Sequence, residues 1–163
     1  MKRVKLSNRL RALTDFIDNG ASVADIGTDH GYLPAYLVQN KSVDRIFASD
    51  ISTASLSKAR QTAKECDVLN EIIFVSAPGL GGISLDDIDT VVIAGMGGET
   101  ISSILKDASR TRTPNKKFIL QPQSKADILF KFLYDNGYDI HAVKYVKDKR
   151  KQYIVIHAEG WSK

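Results

Sequence analysis

Apolar positions follow two rhythms along the chain. Leu6, Leu10, Leu13, Phe16 and Ile17 recur near a 3.6-residue period, which predicts an amphipathic helix over 5–18, ended by Asn19-Gly20. Short apolar runs then take over: VADI at 23–26, RIFASD at 45–50, EIIFVS at 71–76, DTVVIAG at 89–95 and KKFILQP at 116–122. Such continuous runs predict strands of a parallel sheet buried on both faces. Helical segments are expected between them at 31–39, 52–67, 97–106 and 124–135, with Ser52 as the N-cap of the second. The tail breaks the alternation. YDIHAVKYVKD at 138–148 and KQYIVIHAE at 151–159 are β-rich and meet at a turn around Lys149-Arg150. That connection is too short for a parallel crossover, so an antiparallel hairpin is expected. The expected fold class is α/β, a doubly wound sheet ending in an antiparallel hairpin, in one domain over 1–163.

Composition adds exclusions. At 163 residues the chain can bury one substantial core, and 43% hydrophobic with 26% charged residues is ordinary for a globular domain. Its longest apolar runs are too short to span a bilayer, and the basic N-terminus has no apolar segment behind it, so neither membrane insertion nor a signal peptide is expected. The cytoplasm is the expected location. Cys66 is the sole cysteine, which excludes an internal disulfide. His30, His141 and His157 lack ligand spacing, so no metal site is expected. Net charge is only +4, but its distribution is uneven. The first eleven residues hold Lys2, Arg3, Lys5, Arg9 and Arg11 and no acid. Further basic clusters are Lys106, Arg110, Arg112, Lys116 and Lys117, and Lys144, Lys147, Lys149, Arg150 and Lys151. Residues 41–104 are acidic on balance. One face suited to a polyanion, apart from another that tolerates carboxylates, fits this pattern, as does a set of solvated charged surfaces.

In a doubly wound sheet, ligands bind beyond the carboxyl ends of the strands. The first strand ends in Asp25, Gly27, Asp29 and His30. The second ends in Asp50, an acid 23 residues beyond Gly27, placed to accept ribose hydroxyl hydrogens. A dinucleotide cradle would read G-x-G-x-x-G, whereas this turn has Gly27 and Gly31 and adds two carboxylates. Carboxylates repel a pyrophosphate, which argues against a nicotinamide-dependent oxidoreductase. They suit a ligand with an amino group, a sulfonium and a ribose, such as S-adenosylmethionine. A structural reading, with Asp29 as a helix N-cap and His30 on the surface, also fits. Gly95, Gly97 and Gly98 after the fourth strand allow close approach to the backbone. Gln121-Pro122 ends the fifth strand at the same rim, where the amide is placed to reach a base edge.

Four motifs in order, L-S-x-R-L at 6–10, A-D-I-G-T-D-H-G-Y-L-P at 24–34, I-A-G-M-G-G at 93–98 and L-Q-P at 120–122, resemble the bacterial TrmK-type tRNA (adenine-N1)-methyltransferases, which act at adenine 22. The resemblance covers most of the chain. It implies a class I methyltransferase fold, S-adenosylmethionine as cofactor and tRNA as partner; separately, a monomer is expected. Asp29, His30 and Tyr32 are the implied catalytic set. Asp29 would accept from the adenine N6 amine or meet the cofactor's amino-acid end, and Tyr32 would stack on a base or pack under the loop. Asp25, Gly27, Asp50, Ile51, Gly79, Leu80, Ala94, Gly95 and Met96 fall to the cofactor. Arg9, Gly97, Gln121 and Pro122 fall to the substrate. There are two departures. Where the family carries G-D-G-L after the third strand, this chain has A-P-G-L at 77–80. Family members also continue into a C-terminal helical extension, whereas this sequence ends at Lys163. A noncatalytic RNA-binding domain of the same fold, or a methyltransferase with another substrate, are the alternative readings.

Overall fold

The computed structural model describes residues 1–40, 42–108 and 116–160; Arg110 and Arg112 of the second basic cluster lie outside them. Among the described residues there are seven strands: β1 (Ala21–Ile26), β2 (Val43–Asp50), β3 (Ile73–Ser76), β4 (Thr90–Met96), β5 (Lys117–Pro122), β6 (Asp139–Asp148) and β7 (Lys151–Glu159). They form one sheet in the order β3-β2-β1-β4-β5-β7-β6. β1 to β5 are parallel, and β7 is antiparallel to both β5 and β6, as the short connection requires. Chain order reverses between β1 and β4, and this is the switch point where a ligand crevice opens.

Five helices cover the two faces: α1 (Asn8–Thr14), α2 (Tyr32–Gln39), α3 (Thr53–Glu65), α4 (Gly98–Asp107) and α5 (Ala126–Asp135). Alternate strand residues sort the core. Val23, Ile46, Val92 and Ile119 pack with Leu13 of α1, Leu33 and Leu37 of α2 and Ala63 of α3. Ile26, Val91, Ile93, Phe118 and Leu120 pack with Ile101 and Leu105 of α4 and Leu129 and Leu133 of α5. Each fully buried Leu or Ile contributes roughly 1.5–3 kcal/mol, so these two layers hold the sheet rim in place. No helix among the described residues is long and apolar enough to cross a membrane.

The first helix is shorter than the 5–18 that its apolar spacing predicts. Ser7 Oγ accepts from Leu10 N at 3.3 Å, so the helix starts at Asn8. At the other end, Phe16 N and Ile17 N bond to the carbonyls three residues back, which tightens and stops it. What positions α1 is the C-terminal hairpin. Arg9 N donates to Asp148 Oδ2 at 3.2 Å, Asn8 Nδ2 to the Lys147 carbonyl at 3.3 Å, and Lys144 pairs with Asp15. Lys117 Nζ reaches the Phe16 carbonyl and Asp18 Oδ2, both at 2.9 Å. Part of the basic surplus is therefore internal wiring.

Two glycines, one within β4 and one opening α4, have structural jobs. The β4–β5 register slips between Ala94 and Met96, so Gly95 is an extra residue, at φ +77°. Its N–H finds Gln121 Oε1 at 3.1 Å. Gly98 opens α4 directly under the loop that leads to α5, and a Cβ there would stand 2.1 Å from the Lys125 carbonyl oxygen. That oxygen is backbone and cannot swing away. Gly98→Ala is expected to lower stability by about 1–3 kcal/mol, the range for overpacking, as read by the denaturant midpoint. An unchanged midpoint would mean that α4 and α5 separate freely.

Candidate active site

A cavity of about 630 Å³ opens at the switch point, within the usual range for a small-molecule site. Its floor is the β1 end with Asp25, Gly27 and Thr28. One wall is Asp29, His30, Tyr32 and Asp50; the other is Ala94, Gly95 and Met96; Lys5, Ser7, Arg9 and Gln123 close the mouth. Six of the nine residues that the resemblance assigns to the cofactor line it: Asp25, Gly27, Asp50, Ala94, Gly95 and Met96. Ile51 stands next to Asp50 with 73% of its surface exposed, a large apolar side chain left bare at the rim.

Asp50 is built into the loop rather than hung beside it. Its Oδ2 accepts from Asp29 N and its Oδ1 from Ser52 N, each at 3.0 Å. One carboxylate thus fixes the β1 turn and the entry to α3, where Ser52 is the N-cap as expected. Each oxygen keeps a lone-pair direction free for a ligand hydroxyl. Asp25 lies deeper. It is buried, Thr28 Oγ1 donates to its Oδ2 at 2.9 Å, and burial, with a smaller push from Asp50, raises its pKa from 3.8 to about 7. Thr28 and the Arg9 charge pull the other way. A buried carboxyl poised near neutrality in a cleft fits a cationic ligand group, which would hold it ionised.

The turn between these acids carries the exposed set. Asp29 has φ +54° and is not a helix N-cap; Gly31 occupies that place. His30 Nδ1 lies 3.1 Å from Asp29 Oδ2, and its ring stacks on Tyr32 at 5.4 Å and 9°. Tyr32 is 46% exposed, so it does not pack under the loop. Carboxylate, imidazole and phenol thus form one flat-sided array on the cavity wall.

At the mouth the structure changes several assignments. Gln121 is completely buried: Oε1 accepts from Arg9 Nη1 at 2.9 Å and from Gly95 N, while Nε2 donates to the Pro122 carbonyl at 2.9 Å. Its amide is engaged with the protein and does not reach a base edge; it mends the β4 bulge and aims Arg9. Pro122 is buried beside it. Gly97 faces Ser124, whose Oγ would be 3.1 Å from a Cβ at that position. Of the four residues assigned to the substrate, only Arg9 lines the cavity. Lys5, Ser7, Thr28 and Gln123 line it as well and were not singled out from sequence. Thr28 had a legible signal, a hydroxyl three residues after the buried acid of the same turn.

Gly79 and Leu80 are brought elsewhere. They line a larger cavity, about 960 Å³, between the loop after β3 and α4. That hollow lies between Pro78 and Lys116 and contains none of the strand-end acids of β1 or β2, so the smaller cavity is the chemical one. Among the described residues no cluster of His, Cys, Asp or Glu is arranged to hold a metal.

Comparison with known proteins agrees with this geometry. A family model described as "Methyltransferase domain" matches residues 6–156. The tRNA (adenine(22)-N(1))-methyltransferase of Bacillus subtilis is 33% identical over 160 residues, 98% of this chain and 67% of that protein. The crystal structure of the B. subtilis m1A22 tRNA methyltransferase TrmK superposes with a TM-score of 0.91 at 33% identity, covering 97% of this chain and 68% of the other. TrmK of M. capricolum, solved with the cofactor product S-adenosyl-homocysteine, gives a TM-score of 0.84 at 29% identity over 95% of this chain and 69% of the other. On sequence, fold and the arrangement of the strand ends, this chain belongs to the methyltransferase-domain family and, within it, to the tRNA (adenine(22)-N(1))-methyltransferases.

Proposed function

We propose that this chain, as a single methyltransferase domain and a monomer, methylates N1 of an adenine in tRNA, position 22 being the one named for its relatives. S-adenosylmethionine is its cofactor and the cytoplasm its location. The observation that carries the reading is the split cavity. Two carboxylates, Asp25 and Asp50, line the inner wall with Asp29 exposed at its edge, while the cations Lys5 and Arg9 come to the same cavity from the N-terminal segment. The inner wall matches a cationic cofactor without phosphates, and the two cations match a polyanion.

When bound, S-adenosylmethionine supplies a methyl group made electrophilic by its sulfonium. The residues present fit it. Asp50 would accept from the ribose hydroxyls, Asp25 would face the amino group, and Ile51 offers bare apolar surface to the adenine ring. The target N1 carries its own lone pair at neutral pH, so no side chain has to remove a proton before attack. The protein's work is positioning. Tyr32 and His30 give the target base a flat wall to stack on, which a nucleotide drawn from a helix requires. Methylation at N1 leaves the adenine ring positively charged, and Asp29, exposed beside His30 and Tyr32, would offset that charge as it develops. Arg9, aimed by Gln121, holds a phosphate at the mouth.

Asp50→Ala is expected to weaken S-adenosylmethionine binding by about 1.5–3 kcal/mol, roughly ten- to a hundredfold, as one charge-assisted pair should. Calorimetric titration reads it directly. An unchanged affinity would remove Asp50 as the ribose ligand. The function itself is tested by incubating the protein with S-adenosylmethionine and bacterial tRNA lacking the modification, followed by mass-spectrometric nucleoside analysis. N1-methyladenosine is the expected product. Cofactor binding without any methylated tRNA would reduce the reading to a methyltransferase with another substrate.

A further inference from the structure

The turn between β6 and β7 holds a concentration of charge that methyl transfer does not use. Lys147, Lys149, Arg150 and Lys151 are all exposed, and among the described residues none of their side chains has a hydrogen-bond or ion-pair partner. The one acid between residues 144 and 151, Asp148, is turned inward onto the Arg9 amide. The four cations therefore face solvent uncompensated.

Their position matters as much as their charge. Leu120 pairs with Ile156, so the β5 end at Pro122 is level with Ile154, and Lys151 stands three residues further on. At 3.3 Å per residue the turn rises about 10 Å above the rim on which the cavity opens. It rises beside α1, to whose first turn it is bonded through Asn8 and Arg9. Lys5 and Arg9 in the cavity lining and the four cations of the turn therefore lie at the same end of the sheet. The turn chemistry adds a sign that charge is kept here at a structural cost. Asp148 pairs with Lys151, leaving a two-residue loop of Lys149 and Arg150, and Lys149 takes φ +57°, where Asn or Gly is favoured.

We infer that the β6–β7 turn is a backbone clamp, which grips phosphates of the RNA strand whose base enters the cavity. The inference rests on the proposed RNA substrate. Phosphate contacts of this kind hold the strand and fix its register without reading sequence, so they act on affinity.

The test is the double variant Lys149→Asn with Arg150→Gln in the full chain. Asn accepts the left-handed backbone, so thermal stability is expected to be no lower than in the parent. The Kd for tRNA is expected to rise roughly tenfold near physiological salt, and the slope of log K against log salt to shrink by about 1.4–1.8 for two lost phosphate contacts. S-adenosylmethionine affinity and the rate at saturating tRNA stay unchanged. A variant that keeps the parent's tRNA affinity and salt slope overturns the clamp while leaving the methyltransferase reading intact, provided the parent methylates tRNA. A fall in the saturated rate with affinity preserved overturns it too. A parent that neither binds nor methylates tRNA overturns both.

Discussion

Asp29→Asn is expected to slow methyl transfer to tRNA by roughly 100- to 1,000-fold at saturating cofactor and tRNA, with S-adenosylmethionine affinity nearly unchanged. The reaction moves positive charge onto the adenine ring, and Asp29 is the exposed carboxylate on the wall where the base would stack. Its field is screened while water fills the cavity and strengthens when a bound nucleotide displaces that water. The choice of Asn is deliberate. At φ +54° Asn is tolerated about as well as Asp, whereas Ala would add backbone strain and blur the comparison. The amide N–H of residue 29 still donates to Asp50, so the cofactor wall should survive. Single-turnover transfer of a labelled methyl group measures the effect. A variant at the parent rate would mean that the residue 29 charge does not face the reacting base.

Asp25→Asn is expected to abolish a pH dependence that the parent shows in two opposite senses. The buried carboxyl has its pKa raised to about 7 in the folded chain, mainly by burial, against 3.8 for the free group. Between those values the folded state binds a proton that the unfolded state has lost. The associated stability is therefore fully present below 3.8 and is lost as pH rises through about 7. The gap corresponds to up to about 4 kcal/mol at 1.36 kcal/mol per unit. Relative to the parent, the ligand-free Asn variant gains stability as pH goes from 4 to 8. Cofactor binding runs the other way. A cationic amino group needs the ionised carboxylate, so parent affinity should rise roughly 30-fold from pH 5.5 to pH 8, following the deprotonated fraction. The variant should bind weakly at all pH values. Denaturant melts and calorimetric titrations across that range read both trends, and parallel pH profiles for parent and variant would place Asp25 outside both roles.

Much of the fold is legible in the sequence because continuous apolar runs and helical segments alternate through residue 135, and the hairpin follows from one short connection. Asp50 and the β1 turn are legible because a doubly wound sheet places its chemistry at known strand ends. What escapes is everything decided by register and by contacts distant in sequence. Gln121 looks like a free amide at a rim; only the bulge at Gly95, visible in the β4–β5 pairing, reveals the N–H it must satisfy. The glycines at 97 and 98 read as room for a ligand. The structure gives that space to Ser124 and the Lys125 carbonyl. Gln123 reaches the cavity from more than a hundred positions beyond Lys5 and Ser7, with no local pattern to mark it.

The wiring of Arg9 has a consequence for how the protein is made. Its guanidinium is fixed by a residue 112 positions away, and its amide by one 139 positions away. The mouth of the cavity therefore cannot close until the final hairpin has docked on the first helix, long after β1 and β2 can pair. During synthesis the cofactor wall can form well before the RNA side exists. Arg9 therefore reaches its fixed position only after residue 148 has been made, well after β1 and β2 can pair.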